Sequence, residues 1–80
     1  MTRGEILQRI QEVGAGTFGC APETLQETTA ANDVENWNSL RHLIFISQVE
    51  EEFQIELNVG AIGKLTNIAD LVTMVHGLKH

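Results

Sequence analysis

Asn36-Trp37-Asn38-Ser39-Leu40-Arg41-His42-Leu43-Ile44-Phe45-Ile46-Ser47-Gln48-Val49-Glu50-Glu51-Glu52-Phe53 is the stretch whose reading decides the fold of this 80-residue chain. Wound at about 100° per residue, it places Phe45, Ile46, Val49 and Phe53 on one side, the side a helix turns to a core. Asn38 is an apt N-cap, because its side-chain oxygen can accept from the N–H groups that open a helix. Ser39 therefore falls at the turn where a polar loop becomes a helix. Unpaired N–H groups and a partial positive charge gather there, which makes it a natural seat for a phosphate ester. Leu40, Ile44, Ser47 and Glu51 fall on the opposite side. Two large apolar residues one turn apart beside that serine predict a docking surface.

Outward from this helix the pattern stays helical. Thr2-Arg3-Gly4-Glu5 matches a capping box. Ile6, Leu7, Ile10 and Val13 then recur at helical spacing, predicting about three turns of a first helix. Gly14 and Gly16 are the expected stop. Periodicity fails over residues 17–37, which read as a long loop anchored by Phe18, Leu25 and Val34 and mobile between them. Residues 59–64 predict a short helix or helical turn. Thr66 is the expected cap of a last helix carrying Ile68, Leu71, Val72 and Val75, and Gly77 its end. The expected fold is all-α: one domain over residues 1–80, a small four-helix bundle of three main helices and one short one, with a long first loop.

Composition narrows the function. The net charge of −6 argues against a nucleic-acid binder. Between residues 23 and 56 stand Glu23, Glu27, Asp33, Glu35, Glu50, Glu51, Glu52 and Glu56, against Arg41 alone. Such a surface would draw basic partners, or it serves only to keep a small protein soluble. No apolar run suits a signal peptide or a membrane span. The single Cys20 points to a reducing cytoplasm and reads as a small half-buried residue.

Catalysis finds little support. His76 and His80 stand near the chain's end as solvated histidines. His42 lies one turn after Ser39, towards the core side, but the sequence supplies no orienting acid or oxyanion hole for a Ser–His nucleophile. A histidine lining the mouth of the bundle is the better reading. Glu50, Glu51 and Glu52 are consecutive, so they splay around the helix and form neither a metal cage nor an acid/base pair. No zinc spacing or Gly-rich phosphate loop occurs. The expectation is not an enzyme, with no catalytic residue and no metal.

Trp37-Asn38-Ser39-Leu40, then Arg41-His42-Leu43, and the helix ending Val49-Glu50-Glu51-Glu52-Phe53 resemble an acyl carrier protein, whose signature is Asp-Ser-Leu at the start of the second helix. The resemblance spans nearly the whole chain, including the long first loop and the closing Thr66-Asn67-Ile68-Ala69-Asp70-Leu71-Val72. It implies a 4′-phosphopantetheine, taken from coenzyme A by a phosphopantetheinyl transferase, on Ser39 between Asn38 and Leu40. Acyl groups would ride on it as thioesters between enzymes of fatty acid, polyketide or related biosynthesis. It further implies that Leu40, Ile44, Ser47, Glu50 and Glu51 face acyl-transferring and acyl-modifying enzymes with basic docking patches. Nucleic acid and membrane are not expected partners, and the carrier is expected to be a cytoplasmic monomer. Acyl chains enter the bundle in some relatives, so Leu43, Phe45, Ile46 and Ile62 either line such a cavity or simply pack the core. Two residues depart from the family: Asn38 replaces the aspartate, and Ile44 stands where fatty-acid carriers often hold an acid. Both suggest a specialised carrier. The alternative is a helical interaction module of the same fold that takes no cofactor; a regulatory phosphate on Ser39 is a third reading.

Overall fold

The computed structural model describes residues 1–79, so His80 and the expectation attached to it lie outside the described residues. Three main helices, α1 (Arg3–Phe18), α2 (Ser39–Phe53) and α4 (Ile68–Lys79), form a small all-α bundle, with a single helical turn at α3 (Val59–Ile62). No strand occurs among the described residues.

The capping box opens α1: Thr2 Oγ1 accepts from the Glu5 N–H at 3.1 Å, and Glu5 Oε1 accepts from the Thr2 N–H at 3.0 Å. The helix then runs through both glycines that were expected to stop it and ends at Gly19, in the left-handed region with φ 67°. A glycine in a helix interior costs only about 1 kcal/mol. Burying Phe18 at the last turn outweighs that. Gly14 serves another purpose. A Cβ there would run into Leu25 Cδ1, so the glycine lets the loop close against α1.

Phe45, Ile46, Val49 and Phe53 of α2 meet Ile6, Ile10 and Phe18 of α1 and Ile68, Leu71, Val72 and Val75 of α4 in one core. The loop anchors Phe18, Leu25 and Val34 are all buried as expected. Between them the chain is more tied down than the sequence suggested. It forms two 3₁₀ turns, Pro22–Thr24 and Ala31–Asp33. The Thr29 carbonyl accepts from the Ile68 N–H and the Glu27 carbonyl from the Ala69 N–H, both at 2.9 Å. These bonds satisfy the first donors of α4. Asn67 takes the next, with Oδ1 accepting from the Asp70 N–H at 3.0 Å. Asn67, and not Thr66, is therefore the cap; the Thr66 hydroxyl and N–H both donate to Asp70 Oδ2. Gly77 lies within α4 and does not end it.

Two carboxylates in these caps are expected to make the fold acid-sensitive. Hydrogen bonds from the Thr2 backbone and hydroxyl hold Glu5 below its ordinary value. The Thr66 hydroxyl and N–H do the same for Asp70. A carboxylate depressed on folding stabilises the fold above its unfolded pKa, and that contribution disappears as pH falls through the folded value. Melting temperature is thus expected to drop as pH falls below about 4, near the ordinary carboxylate values. The double variant Glu5→Gln, Asp70→Asn is expected to lose part of that dependence. An unchanged slope in thermal melts between pH 5 and 3 would contradict the assignment.

Candidate functional site

The end of α1 and the start of α2 are held together by the residues around Ser39. Asn36 Nδ2 donates to the Phe18 carbonyl at 2.9 Å, and Arg41 Nη1 donates to the Thr17 carbonyl at 2.6 Å. Both carbonyls belong to the last turn of α1, where unpaired acceptors and partial negative charge collect. Arg41, the lone base of the acidic stretch, is thus occupied within the fold. Trp37 stacks on Phe18 with centroids 4.6 Å apart and sets its edge against Phe45 at 5.3 Å. Its indole N–H donates to His42 Nδ1 at 3.0 Å.

These contacts set the geometry of α2's first turn. Asn38 is extended, and its Oδ1 accepts from the Arg41 N–H at 2.9 Å, as the cap reading required. Ser39 is the first helical residue and is exposed. The Ser39 and Leu40 N–H groups precede the intrahelical ladder, and no hydrogen bond engages them among the described residues. The start of α2 is therefore open, whereas the start of α4 is closed by loop carbonyls and Asn67.

Ser39 lines a surface groove of about 450 Å³ with Ala31, Trp37, Asn38, His42 and Leu43. Adjoining it is a smaller cavity of about 40 Å³, bounded by Phe45, Ile46, Leu65, Ile68 and Leu71, by the polar Thr66 and Asn67, and by Ala31, Trp37 and His42, which it shares with the groove. His42 sits at the junction, at the mouth of the bundle. An indole N–H can only donate, so Nδ1 is the accepting nitrogen and the neutral ring carries its proton on Nε2. The ring is thus oriented by Trp37 and not by a carboxylate.

Four of the five residues expected on a partner face are exposed. Leu40 is 68% exposed and Ile44 41%, with Ser47 and Glu51 also exposed. Glu50 is half-buried and its Oε2 accepts from the Leu57 N–H at 2.9 Å, so it holds the turn after α2 as well as standing beside the stripe. Of the residues named for an interior cavity, only Phe45 and Ile46 line one. Leu43 is 66% exposed and belongs to the groove outside, being one turn from Ser39 on the same face. Ile62 packs half-buried against the core and does not border that cavity.

Four features escaped the sequence reading: the Trp37–His42 bond, the Asn36 contact, the Arg41 contact and Ala31 in the groove wall. Trp37 and Asn36 precede the helix, where helical spacing assigns no face. Among the described residues no group of three or more His, Cys, Asp or Glu is placed to hold a metal ion. No helix there is long and apolar enough to cross a membrane. No protein-family model matches the chain, and none of the curated proteins matches it.

Proposed function

We propose that the protein is an acyl carrier that bears 4′-phosphopantetheine on Ser39, and the observation that carries this reading is the exposed Ser39 hydroxyl at the open N-terminus of α2. The residues present fit such a group. A phosphodiester on Ser39 Oγ would lie beside the free Ser39 and Leu40 N–H groups and the positive end of the helix dipole, worth about 0.3–1 kcal/mol in such a place. The groove along Trp37, His42 and Leu43 gives the arm a surface to follow. When bound, the cofactor supplies a thiol on which an acyl group is held as a thioester. The chain's own part is presentation: Asn38, Asn36 and Arg41 hold the first turn of α2 so that Ser39 stands outward. Val59–Ile62 serves as the short helix of a four-helix carrier bundle in this reading.

Partners are the phosphopantetheinyl transferase and acyl-transferring or acyl-modifying enzymes with basic patches around an apolar hollow. They would meet Leu40, Ile44, Ser47 and Glu51, with Glu50 at the edge. The carrier acts as a cytoplasmic monomer and performs no catalysis itself. The test is to incubate the chain with coenzyme A and a broad-specificity transferase and record intact mass. A single pantetheinyl increment is expected; its absence would refute the assignment and leave an unmodified interaction module.

Asn38 tests the recognition step. Aspartate caps a helix as well as asparagine, while restoring a charge for a basic transferase. A charge-assisted bond is worth about 1–3 kcal/mol. Asn38→Asp is therefore expected to raise kcat/KM for modification from several-fold to about a hundredfold, with melting temperature little changed. Equal modification rates would remove Asn38 from the transferase interface.

A further inference from the structure

We propose that Trp37 and His42 form a wall that keeps the acyl group outside the bundle, so that this carrier's cargo is a short or polar acyl group and not a long alkyl chain. The inference rests on the carrier reading above and deepens it. Ala31, Trp37 and His42 are the residues common to the groove that contains Ser39 and the cavity behind it. A chain tethered at Ser39 that enters this cavity from the groove passes between them. The way is closed by the 3.0 Å hydrogen bond from Trp37 Nε1 to His42 Nδ1 and by the stacking of Trp37 on Phe18.

Size reinforces the closure. The cavity of about 40 Å³ has room for water but is far below the roughly 150 Å³ of an engineered apolar cavity that binds benzene. The groove outside, at about 450 Å³, gives a short thioester room at the surface. Its polar member besides Asn38 and Ser39 is His42, whose proton sits on Nε2 and can be donated to a carbonyl of the arm or of its acyl group. Charge offers a long alkyl chain nothing, and the groove is open to water along its length. Cargo is therefore selected by what the groove accepts, and the indole–imidazole pair is the specificity-determining element.

The experiment compares acetyl and octanoyl forms, each made by transferase loading from the corresponding acyl coenzyme A and verified by intact mass. A chain that takes up neither group fails the carrier reading itself, and this inference falls with it. Loaded wild-type protein is expected to melt at the same temperature in both forms, within about 1 °C. His42→Ala removes the imidazole and releases the indole, so its octanoyl form is expected to melt about 5 °C or more above its acetyl form, as buried methylenes stabilise a domain of this size. Should His42→Ala fail to fold, Trp37→Phe carries the same comparison, since it keeps a ring against Phe18 and Phe45 while losing the N–H and bulk. A wild-type octanoyl form that melts higher by that margin would overturn the proposal, because the chain would then pass a closed wall. Folded variants that show no difference between the two forms would overturn it too.

Discussion

Ser39→Ala is expected to abolish the pantetheinyl increment completely while leaving the fold in place. The proposed ester requires Ser39 Oγ, and alanine has no oxygen to offer. Stability does not depend on that oxygen. Ser39 is exposed, the cap of α2 comes from Asn38, and alanine is a good helix former. A surface change of this kind stays within about 0.5 kcal/mol. Intact mass after incubation with coenzyme A and transferase, read beside a thermal melt, separates the two effects. Ser47 is the other serine in the sequence and serves as an internal control, being exposed in mid-helix without open N–H groups beside it. An increment that persists in Ser39→Ala would move the ester elsewhere and refute the assignment.

Phe45→Ala is expected to be the most damaging single substitution for stability. Phe45 is fully buried, with its ring 5.1 Å from Phe18 and 5.3 Å from Trp37. Truncating such a ring costs about 3–5 kcal/mol. An 80-residue domain has roughly 4–12 kcal/mol of stability to lose. The expected fall in melting temperature is thus about 15–30 °C. Urea denaturation gives the free energy directly, and emission from the protein's single tryptophan reports the loosening of Trp37. Loading of Ser39 should slow as well, because Trp37 braces the loop that presents it. Leu40→Ala is the contrast: at 68% exposure its removal leaves stability nearly unchanged. A Phe45→Ala loss below about 1 kcal/mol would mean that the aromatic cluster is not the keystone of this end of the bundle.

The two variants probe different kinds of order. One removes an atom that the fold merely holds out; the other removes mass on which the holding depends. Both lie on α2, within seven residues, and the helical period alone separates them. Ser39 begins the helix outside, while Phe45 turns inward to meet Phe18 of α1.

Local rules made much of this legible in advance. The capping box at Thr2, the Asn38 cap and the inward face of Phe45, Ile46, Val49 and Phe53 all follow from interactions completed within a turn or two of helix, so sequence spacing alone specifies them. The exposure of Ser39, Leu40 and Ile44 follows from the same winding. Tertiary structure decided the rest. Helix α1 outruns Gly14 and Gly16 because Phe18 finds a pocket against Trp37 and Phe45, which lie far along the chain. Asn36 and Arg41 reach carbonyls 18 and 24 residues away, and the first donors of α4 are met by carbonyls of the long loop. The Trp37–His42 bond joins an irregular segment to a helix, where no period applies. Short-range hydrogen bonds and helical winding are written in neighbouring residues; partners distant along the chain are chosen only when the core closes and leaves each buried polar group one place to go.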